Sequence, residues 1–102
     1  MRIAYVMPTR NRPERIARTL DALASLGPHD AEVIFVDNAS DQRPLVPSEL
    51  SSGLPVKLIE RDRNEGAAAR NVGAHATDPS CDWVVMLDDD SHPRDLGLFD
   101  AL

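Results

Sequence analysis

Trp83-Val84-Val85-Met86-Leu87-Asp88-Asp89-Asp90-Ser91 decides how this chain is read. An apolar run of strand length stops against three consecutive carboxylates, with Pro93 soon after. The run shows no polar alternation, so it predicts a strand covered on both faces, the environment of a parallel sheet. Three adjacent acids repel one another, and a divalent cation held by hard carboxylate oxygens would stabilise them. A solvated acidic turn capping a helix that begins near Asp95 would account for the same residues.

Working outward, three earlier stretches have strand character. Ile3-Ala4-Tyr5-Val6-Met7 predicts a first strand closed by Pro8, followed by the polar loop Thr9-Arg10-Asn11-Arg12-Pro13. Pro13 suits the first turn of a helix, where its missing N–H is not needed. Ile16, Leu20 and Leu23 then recur at helical spacing with Ala17 and Ala24 beside them, while Arg15, Arg18 and Asp21 face away. Gly27-Pro28 ends that helix. Val33-Ile34-Phe35-Val36 predicts a second strand that runs into Asp37-Asn38-Ala39-Ser40-Asp41. Residues 42–55 hold Pro44, Pro47, Pro55 and Gly53 and read as a loose crossover with one helical turn near residues 48–50. Val56-Lys57-Leu58-Ile59-Glu60 is shorter and more polar, which fits an edge strand.

Asn64-Glu65-Gly66-Ala67-Ala68-Ala69-Arg70-Asn71-Val72-Gly73 opens a second helix, predicted to reach about Ala76. Its small residues would let the helix lie close to the sheet. Gly66 would bring backbone N–H groups near an anion, and Arg70, one turn in, could point back toward the strand ends. A small-residue helix packed on the sheet with Arg70 in solvent would give the same sequence. Asp78-Pro79 breaks the chain before Trp83, and residues 93–102 look like the first turns of another helix. The order of elements predicts an α/β fold: an open, mostly parallel sheet with helices on both faces. Ligands of such sheets gather at the carboxyl ends of the strands.

Composition narrows the function classes. The 102 residues suffice for one small domain. Lysine plus arginine total 11 against 17 acids, a net charge of −6, which gives no support to nucleic-acid binding. The single cysteine, Cys81, excludes an internal disulfide and fits a reducing compartment. No apolar run approaches the roughly 20 residues that span a bilayer, and no leader pattern follows Met1. A cytoplasmic location is the expectation.

Four polar clusters now follow strands or open helices. Pro8-Thr9-Arg10-Asn11-Arg12-Pro13, Val36-Asp37-Asn38-Ala39-Ser40, Asn64-Glu65-Gly66 with Ala69-Arg70-Asn71-Val72-Gly73, and Leu87-Asp88-Asp89-Asp90 resemble the nucleotide-sugar half of family 2 glycosyltransferases, inverting enzymes of the GT-A fold. The resemblance covers nearly the whole chain, in the family's order and spacing. It implies a metal-dependent transferase that uses a nucleoside-diphosphate sugar, a UDP-sugar favoured, toward an unknown acceptor. Asp88-Asp89-Asp90 would be the D-x-D element. Asp90, with Asp88, would hold Mn²⁺ or Mg²⁺, and Asp88 and Asp89 would face ribose and diphosphate. Asp37 would accept a hydrogen bond from the base and Thr9 would wall the base and ribose pocket. Arg70 would reach the base or the phosphates, with Arg10 and Asn64 completing the donor-binding set. His92 is left outside the site.

Inverting transfer needs a general base on the acceptor hydroxyl. In the family that acid lies beyond the D-x-D strand, and no other carboxylate here matches it. Residues 1–102 are therefore expected to form a single nucleotide-diphospho-sugar-binding domain, cut short of the acceptor half. Apolar surface left bare at that junction would favour self-association. The alternative is a non-catalytic nucleotide-sugar-binding fragment that needs a partner or its missing half. A Mg²⁺-binding receiver domain would need an acidic pair after the first strand and a late lysine, where Pro8-Thr9-Arg10 and only Lys57 stand. A nucleotidyltransferase would need a glycine in the loop at residues 9–13, which has none.

Overall fold

The computed structural model describes residues 2–66 and 68–88. Four strands, β1 (Ile3–Thr9), β2 (Ala31–Asn38), β3 (Val56–Arg61) and β4 (Trp83–Met86), form one parallel sheet in the order β3-β2-β1-β4. Helix α1 (Pro13–Ser25) joins β1 to β2, and α2 (Ala68–His75) joins β3 to β4. The chain steps from β1 outward to β3, then crosses back to place β4 on the other side of β1. Parallel crossovers are right-handed, so this reversal carries α2 to the opposite face from α1. The strand order therefore reverses between β1 and β4, where open α/β sheets form their ligand crevice.

Two apolar layers record the two faces. Ile3, Tyr5 and Met7 of β1 with Val33 and Phe35 of β2 pack against Ile16, Leu20 and Leu23 of α1. The alternate residues Val6, Ile34 and Val36 pack on the other side against Ala69, with Val72 and Ala76 alongside. A period of two along each strand puts neighbouring residues on opposite faces, and both faces of β1 and β2 are covered. These central strands are the continuous apolar runs the sequence predicts. Gly73 sits against the sheet so closely that a Cβ there would overlap Val6 Cγ1 and lie 3.0 Å from Val36 Cγ2. The small-residue helix is thus packed tightly, as expected.

Four expectations change in detail. Pro8 does not close β1, which continues to Thr9 opposite Asp37. Leu87 N–H donates to the Val6 carbonyl at 3.0 Å, so residue 8, two further on, faces the same β4 side. Proline has no N–H to offer there; the ladder to β4 stops while that to β2 goes on. Strand β2 extends at both ends, from Ala31 to Asn38. The crossover has no helical turn at residues 48–50. Instead Leu50 N–H bonds the Leu54 carbonyl at 2.8 Å and Glu49 bridges Pro55, which buries Leu50 and Leu54 beneath the α1 face. Helix α2 starts at Ala68, after a turn through Gly66 at φ +58°.

The largest change concerns β4, expected to be covered on both faces. Val85 and Leu87 do pack against the α1-side core. Val84 and Met86 are each 38% exposed and Trp83 47% exposed. Helix α2 seats on β1 and β2 through Gly73 and Ala69, leaving the same face of β4 uncovered by it. Strand β3 is at the other edge, as predicted. In α1, Ala17 is exposed and Thr19 takes the buried place. No helix among the described residues is long and apolar enough to cross a membrane.

Candidate functional site

Parallel strands bring their carboxyl ends to one rim. There Thr9, Asp37 and Glu60 are register partners across β1, β2 and β3, and Thr9 and Asp37 are buried. A fully buried carboxylate is costly unless paired and hydrogen-bonded. Asp37 has both kinds of partner: Arg43 Nη1 lies 2.8 Å from Oδ2, and the Ser40 hydroxyl donates a short bond to Oδ1. Beside Asp37, the Arg43 guanidinium is held even more firmly in its charged form than usual.

The loops after β1 and β2 clasp each other. Asn11 N–H donates to Ser40 Oγ at 2.8 Å, and Asp41 N–H donates to Asn11 Oδ1 at 2.8 Å. Asn11 is left-handed at φ +53° and Ala39 at φ +57°. Asparagine tolerates that region; an alanine there is strained by roughly 1–2 kcal/mol. The clasp of Asn11 on Ser40 and Asp41 holds this turn in place.

Asn38 ties the β2 end to the turn leading into α2. Its Oδ1 accepts Glu65 N–H at 3.3 Å, and its side-chain N–H reaches the Gly66 carbonyl at 3.5 Å. Asn64 Oδ1 accepts Gly66 N–H at 2.9 Å, a turn in which the side chain stands in for backbone. Glu65 pairs with Arg61 at the end of β3, which keeps its carboxyl below the usual range. One turn into α2, Arg70 Nη2 lies 3.1 Å from Asp88 Oδ1 at the end of β4. Both are exposed, so a ligand can displace this pair at little cost.

The predicted residues that the structure describes therefore fall on one rim. Thr9 and Asp37 stand side by side, Asn64 shapes the neighbouring turn, Arg70 meets Asp88, and Arg10 is exposed just past β1. Asp89, Asp90 and His92 lie outside the described residues. Asp88 offers a hard oxygen donor, the type Mg²⁺ and Mn²⁺ take alongside substrate phosphates. Among the described residues no three side chains form a metal-ligating cluster, so the donor set fits such an ion only as a single ligand to be completed by others.

Sequence reading placed Asn11, Asn38 and Ser40 in the strand-end clusters without giving them roles, and it missed Arg43. The one available signal was Asp37 itself: an acid at the end of a doubly covered strand requires a cation. Arg43, six residues on, stood inside a segment read as loose crossover.

A family model described as Glycosyl transferase family 2 matches residues 5–97. An uncharacterized glycosyltransferase of Haemophilus influenzae is 37% identical over 89 residues, covering 86% of this chain and 29% of that protein. The galactofuranosyltransferase GlfT1 of Mycolicibacterium smegmatis is 35% identical over 104 residues, covering 98% of this chain and 33% of its own. Among solved structures, S. aureus TarS residues 1–349 superpose with a TM-score of 0.75 at 24% identity, over 99% of this chain and 31% of that one. The chain spans about a third of the length of these curated relatives.

Proposed function

Because the chain belongs to glycosyl transferase family 2, we propose that it is the donor-binding part of an inverting glycosyltransferase, taking a nucleoside-diphosphate sugar with a UDP-sugar favoured. One observation carries this reading: Asp37, the 64–66 turn and the Arg70–Asp88 pair share the carboxyl rim beside the β1/β4 switch point. In the proposed pose the loops after β1 and β2 part to uncover Asp37, buried in this structure, which accepts an N–H of the base while Thr9 walls the ribose. The Arg70 guanidinium, whose fork suits phosphate oxygens, leaves Asp88 for the diphosphate. Asn64 and Arg10 line the approach.

Asp88 and Asp90, with Asp89 toward the diphosphate, would hold Mn²⁺ or Mg²⁺. When bound, the cation would offset the charge developing on the departing diphosphate. Three relatives bear the name galactofuranosyltransferase, which supports a sugar-transfer role without naming the sugar here. None of the rim residues is assigned as the general base that activates the acceptor hydroxyl.

A thermal-shift screen of nucleoside diphosphates with and without Mn²⁺ tests the reading. Ligand at a hundred times Kd adds about 2.7 kcal/mol, which raises Tm by roughly 10 °C in a domain of this size. The expected result is a metal-dependent shift with UDP that Asp90→Ala and Asp88→Ala remove and Asp37→Asn weakens. No shift with any nucleotide would overturn the proposal.

A further inference from the structure

The crossover from β2 to β3 sends one side chain to the rim for which the proposed function has no task. Asp37 and Glu60 are register partners on adjacent parallel strands, so their carboxylates leave the same face of the sheet side by side. Like charges in that relation repel, and Asp37 is fully buried. Arg43 lies between them. Its Nη1 is 2.8 Å from Asp37 Oδ2 and donates to the Arg61 carbonyl at 3.0 Å, while its Nε is 3.7 Å from Glu60 Oε2. One planar guanidinium thus joins the crossover to two strand ends, which a lysine's single ammonium cannot span.

The remaining Asp37 oxygen is held by Ser40, whose Oγ is in turn held by Asn11 N–H at 2.8 Å. Held in this way, the Asp37 carboxylate is fixed in direction, with a second lone pair on each oxygen as an acceptor.

We propose that Arg43 is a positioning residue for base recognition: by bridging Asp37 and Glu60 it fixes the direction in which the Asp37 carboxylate accepts, so the site selects bases that present a ring N–H. The inference rests on the reading that Asp37 meets the base. Uracil offers an N–H at ring position 3; cytosine offers a lone pair there, which the carboxylate repels. A site built to hydrogen-bond one group rejects an analogue that lacks it far more strongly than an apolar pocket would.

Equilibrium binding of UDP and CDP to the full chain, with the same Mn²⁺ concentration, tests this in wild type, Asp37→Asn, Arg43→Gln and Arg43→Lys. The two ligands share the diphosphate, so a general loss of folded protein lowers both affinities and leaves their ratio unchanged. Wild type should favour UDP by roughly tenfold or more, and Asp37→Asn should erase the preference. Arg43→Gln should lower the ratio at least severalfold, and Arg43→Lys, which restores charge without the fork, should fall between. A wild-type ratio in both Arg43 variants, with Asp37→Asn still defective, would overturn the role of Arg43 alone. No discrimination in wild type and no effect of Asp37→Asn would instead overturn the placement of the base. If Arg43→Gln does not fold, the Lys variant decides: a reduced ratio supports the role and an unchanged one refutes it.

Discussion

Strand β2 carries a buried carboxylate at each end, and the two are held in different ways. At the amino end Glu32 is 1% exposed; at the carboxyl end Asp37 is 0% exposed. Glu32 faces the α2 side and accepts the Asp78 backbone N–H at 2.8 Å, with Lys57 Nζ at 3.2 Å and Cys81 Sγ at 3.8 Å. These partners come from β3 and the segment before β4, so Glu32 fastens the loop that delivers β4 to the sheet. Asp37 faces the α1 side and is held by the Ser40 and Arg43 side chains from the loops ringing the crevice. Burial with a paired charge is therefore not itself a mark of function. What separates the two acids is which end of a parallel sheet they occupy.

The comparison breaks most visibly at the amino end. Lys57→Met would remove the ammonium 3.2 Å from the buried Glu32 carboxylate; Lys57 is itself half-exposed, so the expected loss is about 1–3 kcal/mol. Urea unfolding should show that loss, while the nucleotide affinity of the folded protein stays within about twofold of wild type, since a ΔΔG of 0.4 kcal/mol is about a factor of two. A large loss of affinity would mean that the two ends are coupled. The Cys81 thiol belongs with this structural end: burial and the nearby Glu32 push its pKa up, the opposite of an activated nucleophile.

Gly73 sharpens the contrast because it seats α2 on the sheet at Val6 and Val36, next to Asp37. Ala at this position pushes α2 away from Val6 and Val36, at an expected cost of about 1–3 kcal/mol for overpacking. Arg70 lies one turn earlier on the same helix, so nucleotide binding should weaken as well. Gly73→Ala is thus expected to move unfolding midpoint and Kd together, where Lys57→Met moves only the first. Asp37→Asn should do the reverse, weakening UDP binding by about tenfold, or 1.4 kcal/mol, with a smaller change in stability.

The sheet, the helices on its two faces and the rim of strand ends were legible because each rests on local periodicity or on a motif read in order. Ile16, Leu20 and Leu23 mark the α1 face, and the runs ending at Asp37 and Asp88 mark the rim. Arg43 was not legible, since its role depends on the path of a proline-rich crossover without periodicity. Pro8 misled because proline usually ends strands, yet here its missing N–H points where β4 has already stopped. The bareness of Val84 and Met86 follows from where α2 sits, which the apolar run of β4 cannot encode. That surface carries the expectation of self-association: Val84→Lys should lower any concentration-dependent mass seen by sedimentation, and an unchanged profile would dismiss it.

The smallest effect belongs to Tyr5, buried in β1 on the α1 side. Its hydroxyl meets His29 Nε2 at 2.9 Å, and His29 Nδ1 meets the Gly27 carbonyl at 2.8 Å. A carbonyl can only accept, so Nδ1 carries the proton and Nε2 accepts from Tyr5. Tyr5→Phe leaves Nε2 without its donor, a loss of about 1 kcal/mol near neutral pH. Burial raises the Tyr5 pKa to about 12 from the ordinary 10. The unfolded chain then ionises first, so the stability from a neutral buried phenol is complete below pH 10 and is lost between pH 10 and 12. Wild type should therefore lose stability through that window more steeply than Tyr5→Phe, with nucleotide affinity at neutral pH the same in both. Parallel alkaline profiles for the two proteins would show that this phenol is open to solvent, and a change in affinity would place Tyr5 with Asp37 rather than with Glu32.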